Sequence, residues 1–457
     1  MEPLFHRIFG VETEYGVTCT VDGQPAKDPE EVARTLFHPI MKKYGATNVF
    51  MPNGGRLYLD VGSHPEFATP ECDDALQLLA YDRAGDEIMR NLAAEASEEL
   101  GGRVYIFKNN VDSAGNSYGC HENYLVDRDM VLKHLGVYFL PFLVTRQLFT
   151  GAGKIYVPYP GSASAHFGAG YCLSQRADHV WDGVSSATTR SRPMINTRDE
   201  PHADSHLYRR LHIISGDSNI SQSTMLAKIV STQLVLEMVE AQFMLEEFPL
   251  KDPLEAIRMI SRDPTGRVLL PLEGGGEIPA LVIAFAYLDK AKRWYAQRPF
   301  STKAMDLGLD IWERALVAID QDEPERLKSE IDWVIKKDIL DRYDLPITDM
   351  KMRQVDLAYH DLNGLGRMME KKGYIRTLID DATVAKAVDT PPETTRAHIR
   401  GQILAEADKL GLNIFTDWMY NKYGTKRVEF PNPFATESSE AEAFIEYLRA
   451  EAHNAKD

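Results

Sequence analysis

Residues 8–16 read IFGVETEYG, and this stretch decides the fold of the 457-residue chain. Apolar and polar residues alternate here with the period of two that a half-buried strand requires, and the pattern predicts one strand over residues 7–20. The alternation puts Glu12 and Glu14 on one strand face. Two neighbouring carboxylates either point into solvent or share a cation, and this stretch alone leaves both interpretations open.

Two further stretches have a similar polar face. Residues 56–62 read RLYLDVG, a second predicted strand with Arg56, Tyr58 and Asp60 on one side, and Glu66 follows shortly after it. A third strand is predicted at residues 210–214, where Arg210 and His212 share a side. Surface strands and a structural histidine could give the same pattern. Together the three faces favour a sheet whose concave side binds divalent cations and phosphates, which need oxygen ligands and guanidinium forks.

The rest of the chain alternates between these strands and helical segments. Helices are predicted after the start signal DPEE at residues 28–31, over residues 73–100 and over residues 221–247, with at least three more in residues 281–340. This mixture predicts an α+β fold. Adjacent prolines at 391 and 392 fix an extended connection. We therefore expect a catalytic domain over residues 1–389 and a small domain over residues 390–457.

Composition excludes several classes of protein. Hydrophobic residues make up 44% and charged residues 26% of the chain, as in ordinary globular proteins. No stretch reaches the roughly 20 apolar residues of a membrane span, so we expect a cytoplasmic protein with no membrane partner. The formal charge of -17 argues against nucleic-acid binding. The four cysteines have no CxxC spacing and are expected to be small buried residues. Walker, Rossmann and nucleophile-elbow motifs are missing from the sequence.

Two loops are unusually rich in hydrogen-bonding residues, at positions 108–124 and 196–204. With other segments they closely resemble the Pup ligase (proteasome accessory factor A) family of glutamine-synthetase-like carboxylate-amine ligases. The strings that carry the resemblance are VETEYG, NGGRLYLDVGSHPEFATPEC, FKNNVDSAGNSYGCHENYL, SSATTRSRP, INTRDEPHAD, EIDWVIKK and TTRAHIRG. The resemblance implies a glutamine-synthetase-like large domain, with a curved antiparallel sheet backed by helices, and a small C-terminal domain that contributes to the nucleotide site.

The resemblance also implies roles for individual residues. The implied Mg²⁺ ligands are Glu12, Tyr58 and Glu66, the implied ATP contacts are Arg56, Thr69 and Trp418, and the implied catalytic base is Asp60. We expect Glu14, His121 and His212 to be further metal or phosphate contacts. Arg198 and Arg210 are candidates for gripping the transferred phosphoryl group, and the sequence does not distinguish that role from a structural salt bridge for either of them.

The implied reaction joins two proteins with ATP and Mg²⁺. ATP phosphorylates the side-chain carboxylate of the C-terminal glutamate of Pup, a small protein tag, and a lysine of a protein substrate then attacks. Because a lysine ammonium has a pKa near 10.4, it needs a base such as Asp60 to become a nucleophile. The product is an isopeptide bond that marks the substrate for the proteasome.

Other activities remain as alternatives. A sister enzyme of the same fold deamidates and removes Pup, but its relatives carry a long insertion ahead of the strand of Arg56, and residues 44–53 leave no room for one. A ligase of free amino acids is disfavoured because the matched motifs extend beyond the ATP site. A non-catalytic Pup-binding scaffold is disfavoured because Glu12, Tyr58, Asp60 and Glu66 are all present.

Overall fold

A computed structural model describes residues 3–25, 27–59, 64–112, 115–159, 161–162, 164–186, 192–244 and 246–454. The predicted base Asp60 lies outside the described residues. Strands occur in the following order: β1 (Phe9–Glu14), β2 (Gly16–Val21), β3 (Gln24–Pro25), β4 (Asn48–Phe50), β5 (Arg56–Leu59), β6 (Pro65–Ala68), β7 (Arg103–Phe107), β8 (Cys120–Asp127), β9 (Lys154–Tyr156), β10 (Gly170–Cys172), β11 (Asp182–Ser185), β12 (Pro193–Asn196), β13 (Tyr208–Ile213), β14 (Leu269–Pro271), β15 (Glu277–Pro279), β16 (Phe415–Thr416), β17 (Tyr420–Tyr423) and β18 (Lys426–Glu429).

One large sheet holds the strands that the sequence predicted to carry chemistry. Its eight strands run in the order β11-β12-β13-β8-β1-β6-β5-β4. Every neighbouring pair is antiparallel except β11 and β12. The α+β prediction with a mainly antiparallel sheet is confirmed. Strand β1 lies inside the sheet between β8 and β6, so residues from several strands surround its side chains.

The predicted single strand over residues 7–20 is wrong, because the chain forms two strands there. Strand β1 belongs to the large sheet, whereas β2 pairs with β7 and β3 in a separate one. The break falls at Tyr15, which is fully buried and whose hydroxyl donates to Asp86 over 2.9 Å. The period-two alternation continues through Tyr15, so the pattern could not reveal the change of sheet.

The described residues also form α-helices, several of which pack against the smaller sheets. In chain order they are α1 (Pro29–Leu36), α2 (His38–Tyr44), α3 (Ala75–Leu100), α4 (Leu132–His134), α5 (Leu140–Thr145), α6 (Gln147–Thr150), α7 (Gln222–Ala241), α8 (Pro253–Ser261), α9 (Ala280–Tyr295), α10 (Lys303–Asp320), α11 (Asp332–Leu340), α12 (Met350–His360), α13 (Leu365–Lys371), α14 (Asp381–Asp389), α15 (Ala397–Leu410) and α16 (Ser439–Asn454). No helix of the described residues has the length and apolar character that crossing a bilayer requires.

Helix boundaries follow local chemistry. Asp28 caps α1 by accepting from the backbone N–H of Glu30 over 2.8 Å. Helix α3 ends at Gly101, whose φ of 62° suits glycine. The helix predicted over residues 221–247 is too long, because α7 ends at Ala241. Gln242 then turns into the left-handed region with a φ of 52°, which a periodicity of apolar residues does not predict.

The apolar core divides the chain unequally. The largest apolar cluster joins one face of β1, β8 and β13 to helices α3 and α7, and this leaves the other face of those strands for polar side chains. A separate small cluster is formed by residues 399–448 alone, including Ile403, Phe430 and Leu448. All four cysteines are buried and free, as the sequence predicted. The predicted domain boundary at residue 390 falls between α14 and α15 and stays a prediction.

Candidate active site

Three strands of the large sheet bring Glu12, His121 and His212 together. Glu12 on β1 lies directly opposite His121 on β8, and β13 on the far side of β8 carries His212. The Glu12 Oε2 atom is 3.3 Å from His121 Nδ1 and 3.8 Å from His212 Nε2. One ligand atom from each residue lies within 4.8 Å of the others, which is close enough for a shared metal ion. We call these three residues the acidic-histidine cluster.

Positive and hydrogen-bonding groups surround the Glu12 carboxylate. The Asn123 side-chain amide donates to Glu12 Oε1 over 3.0 Å, and Arg210 Nη1 lies 3.7 Å from the same oxygen. Burial raises the pKa of Glu12, but the hydrogen bond with His121 and the neighbouring positive charge outweigh it and hold the pKa well below its ordinary value. Glu12 is therefore an anion at neutral pH.

His212 supplies a nitrogen that the described residues leave without a hydrogen-bond partner. Its Nε2 is buried and faces Glu12. Burial lowers the pKa of His212 to about 3, so the ring is neutral at pH 7 and keeps a lone pair. A buried polar atom without a partner is costly unless a ligand satisfies it. The cluster thus fits a divalent cation, and its two imidazoles suit Mn²⁺ or Zn²⁺ at least as well as the oxygen-preferring Mg²⁺.

A second set of oxygen-bearing side chains, predicted to be metal ligands, continues from Glu12 towards β5. Glu14 lies opposite Glu66 across β1 and β6, and Tyr58 lies opposite Glu66 across β5 and β6. The Tyr58 hydroxyl donates to the Glu66 carboxylate, and Glu14 Oε1 is 3.9 Å from His121 Nε2. Burial and the charges of Glu12 and Glu66 raise the pKa of Tyr58 well above its ordinary value, so its phenol stays neutral.

Gly119 makes room where these two groups of ligands meet. A Cβ at this position would lie 2.2 Å from His121 Nε2 and 2.8 Å from Glu14 Oε1. Any side chain here would therefore displace the histidine or the carboxylate. The glycine in the sequence YGCHEN is required by this close approach.

Glu12 of the cluster lines a cleft between the sheet and the C-terminal segment, with about 590 Å³ of space when open solvent is included. Residues from β1, β6, β8 and β13 line it on the side of the sheet, together with Pro201–Ala203, Arg396, Trp418 and Pro433 from outside the sheet. Among the lining residues are Gly10, Glu12, Thr69, Asn123, Pro201, His202, Arg210, Arg396 and Trp418. The structure therefore places Thr69 and Trp418, two of the predicted ATP contacts, in the same cleft as the predicted metal ligand Glu12.

Arg56, the third predicted ATP contact, lines an adjoining cleft. This second cleft has about 1090 Å³ of space and shares His202 and Trp418 with the first. Arg56 Nε donates to Asn48 over 2.8 Å, and its guanidinium lies 4.6 Å from the centre of the Tyr58 ring. Arg56 thus lies between the side chain of a predicted metal ligand and the wall that carries Trp418.

The two candidate arginines are placed differently. Arg210 donates to Asn123 Oδ1 over 2.7 Å and to the Glu200 carbonyl over 2.9 Å, and it approaches Glu12. Arg198 has a side chain that is 58% exposed and pairs with Glu200 over 2.7 Å. Only Arg210 of the two lies in the cleft with the cluster. Its role in gripping a phosphoryl group stays a prediction, and the placement of Arg198 gives that role no support.

Sequence reasoning passed over two residues that the structure places in the site. Asn123 holds both Glu12 and Arg210, and because it lies two positions after His121 on β8, strand periodicity could have identified it. His202 lines both clefts and has a φ of 49°, a left-handed conformation that is uncommon outside glycine. Burial lowers the pKa of His202 to about 4, so it is neutral at pH 7. It lies in the polar loop at residues 196–204, but the sequence assigned it no role.

Comparisons with known proteins agree over nearly the whole chain. A family model described as "Pup-ligase protein" matches residues 7–422. The Pup–protein ligase of Corynebacterium efficiens is 51% identical, covering 98% of this chain and 96% of the relative. The Pup–protein ligase of Kineococcus radiotolerans is 48% identical, covering 97% of this chain and 99% of the relative.

Two solved structures are also similar. One is the complex between prokaryotic ubiquitin-like protein Pup and its ligase PafA, with a TM-score of 0.94, 48% identity and coverage of 100% of this chain and 94% of that one. The other is the Pup ligase PafA in complex with ADP, with a TM-score of 0.85, 48% identity and coverage of 94% of this chain and 97% of that one.

Proposed function

The chain belongs to the Pup ligase family, and on that premise we propose that it uses ATP to join Pup to lysine side chains of other proteins. The observation that carries the proposal is the cleft that holds Glu12, Arg210, Thr69 and Trp418 on facing walls. Such a cleft can place the phosphates of a nucleotide at the cluster and its base against the indole. Pup ligation also needs a site for an anionic carboxylate close to the phosphates.

The proposed reaction has two steps. The side-chain carboxylate of the C-terminal glutamate of Pup attacks the γ-phosphate of ATP, which gives a γ-glutamyl phosphate and ADP. A lysine amine then attacks the acyl carbon, so that an isopeptide bond forms and phosphate leaves. In phosphoryl transfer the protein contributes mostly positioning and electrostatic stabilisation, because the transferred group passes through a loose transition state.

The described residues supply the groups that these steps need. Glu12 together with His121, His212, Glu14, Tyr58 and Glu66 would hold divalent cations, for which we propose Mg²⁺. A bound cation would offset the charge of the phosphate oxygens. Arg210, fixed by Asn123 and Glu200, presents a guanidinium fork to the same end of the cleft. Because His212 is neutral, the anionic Glu12 beside it would attract the cation.

We also propose a nucleotide role for the C-terminal domain, residues 390–457. Trp418 from this domain lines both clefts, and its ring packs edge-on against Phe50 at 4.9 Å between centroids. An indole held in this way offers a flat surface for a base. Because the reaction consumes ATP, we place it in the cytoplasm.

Asp60 is proposed as the base that takes the proton of the attacking lysine. Replacing it by Asn keeps the shape and removes the basic site, so conjugation should fall by about 10²–10⁴-fold. Nucleotide binding should survive, because the metal ligands and Trp418 remain. The measurement is the initial rate of conjugate formation beside the ADP dissociation constant for Asp60→Asn and parent. Full conjugation by the variant would remove Asp60 from the mechanism.

The ligase proposal is tested by mixing the purified chain with Pup ending in glutamate, ATP, Mg²⁺ and a lysine-bearing protein. A product with the summed mass of both proteins less one water, formed with stoichiometric ADP, is the expected result. Glu12→Gln is the matched control and should form none. If Pup ending in glutamine is deamidated and no conjugate forms with the glutamate form, the chain is a deamidase and the proposal is wrong.

A further inference from the structure

Glu71 connects the strand end that carries Thr69 to the C-terminal segment. It follows Thr69 and Pro70 directly after β6 and is only 8% exposed. Its carboxylate accepts from Arg396 Nε over 2.8 Å and from Arg400 Nη1 over 3.0 Å, with a further short bond from Arg400 Nη2. Both arginines are buried, at 2% and 0% exposure. One carboxylate therefore holds two buried guanidinium groups, which would otherwise repel each other.

Arg400, which Glu71 holds in place, contacts Trp418. It donates to the Trp418 carbonyl over 3.0 Å and to the Gly54 carbonyl over 2.7 Å. Its guanidinium also lies 5.0 Å from the centre of the indole ring, within the range of a cation–π contact. The backbone and the ring of Trp418 are thus both in contact with a group that Glu71 holds in place.

Arg396, which Glu71 also holds in place, contacts the loop that carries His202. It donates to the carbonyl of His202, whose φ of 49° is a conformation that needs support from outside its own backbone. Arg396 also donates to the Phe430 carbonyl over 3.3 Å, which ties the loop to the strand end of β18. His202 and Trp418 line both clefts, so both arginines that Glu71 holds contact residues of the proposed nucleotide site.

We propose that Glu71 is a positioning residue for the nucleotide: through Arg396 and Arg400 it sets the distance between the Thr69 wall and the wall formed by His202 and Trp418. The proposal rests on the nucleotide role proposed above for the C-terminal domain. Without the carboxylate, two buried guanidinium groups lose their counter-charge and the second wall shifts. The bound base then loses its contact on one side, whereas the cluster at Glu12 keeps its ligands.

The test is steady-state conjugation and ADP binding for full-length Glu71→Gln, which keeps the side-chain shape. We expect the KM for ATP and the ADP dissociation constant to rise roughly 10-fold or more, by analogy with the loss when the partner that orients a metal ligand is removed. The kcat and the KM for Pup should stay within about twofold. A purely structural role would lower thermal stability and leave the KM for ATP unchanged.

Glu237→Gln is the matched control. Glu237 is also fully buried and accepts from Arg298 Nε over 2.8 Å and Nη2 over 2.9 Å, but it lines neither cleft. It should lower stability without a change in the KM for ATP. Arg400→Lys is a second variant, which keeps a cation beside Glu71 but loses the fork that reaches Trp418 and Gly54, and its KM for ATP should rise.

The outcomes separate this inference from the proposed function. If Trp418→Ala weakens ADP binding and Glu71→Gln does not, the inference is wrong and the nucleotide role of the domain stands. If neither variant changes ADP binding, that role is wrong and the inference falls with it. If Glu71→Gln does not fold, Arg400→Lys decides, and an unchanged KM for ATP in that variant overturns the inference.

Discussion

The acidic-histidine cluster and the Glu71 junction, which consists of Glu71, Arg396 and Arg400, both contain buried charged groups. They differ in which partners satisfy the hydrogen bonds of their buried polar atoms. At the junction, both carboxylate oxygens of Glu71 accept hydrogen bonds from arginines of α15 or its N-cap. At the cluster, His212 Nε2 is buried without a hydrogen-bond partner among the described residues, and Glu12, 3.8 Å away, lines a cleft. Buried polar groups that the protein itself satisfies hold the walls together, whereas a buried polar group left without a partner marks the place of a ligand.

The largest expected effect is a loss of activity when the acidic-histidine cluster is changed. Glu12→Gln should reduce ATP turnover by about 10²–10³-fold, because a metal contributes several kcal/mol of charge stabilisation to phosphoryl transfer. The measurement is ADP release at saturating Mg²⁺, with circular dichroism to show that the fold is kept. Parent-level turnover in Glu12→Gln would mean that Glu12 holds no catalytic metal and that the cluster is structural like the junction.

The Glu71 junction should make the free energy of unfolding depend on pH. The arginines lower the pKa of Glu71 to about 2 from 4.5, against the effect of burial. A carboxylate with a lowered folded pKa stabilises the fold above its unfolded pKa, and this contribution is lost as the pH falls from 4.5 towards 2.

Over that window the parent should lose about 3 kcal/mol more unfolding free energy than Glu71→Gln, which cannot titrate there. Urea unfolding at a series of acid pH values measures the difference. Parallel curves for parent and variant would show that the pair is not formed in solution, and the contrast between a satisfied and an incomplete region would lose its basis.

A smaller effect distinguishes the two arginines near Glu200. Arg210→Ala should slow conjugation roughly 10- to 100-fold, since a hydrogen bond to a charged group is worth about 1.5–3 kcal/mol. Arg198→Ala should change the rate by less than about fivefold, because exposed ion pairs contribute at most about 1 kcal/mol. The two rates are compared under identical ATP and Pup concentrations. Equal losses of rate in both variants would indicate that the loop around Glu200 moves and brings Arg198 into the site.

Strand periodicity accounts for much of the site. It placed Glu12 and Glu14 together on one face of their strand, and Arg210 and His212 together on one face of a second strand. It could not reveal that β1 ends at Glu14, because the alternation continues through Tyr15 into a different sheet. Nor could it show which strands are neighbours, so the meeting of Glu12 with His121 and His212 required the register. The functional roles came from the family resemblance, and the resemblance did not single out His202 or Glu71, whose effects depend on contacts between distant segments.

The most direct measurement is anomalous diffraction from a crystal of the full chain grown with Mn²⁺ and ADP. The account predicts a manganese peak bonded to Glu12 and to at least one histidine of the cluster or Glu66, with ADP extending towards Trp418. Manganese bound elsewhere, with Glu12, His121 and His212 still in contact only with one another and the Trp418 cleft empty of ADP, would contradict it.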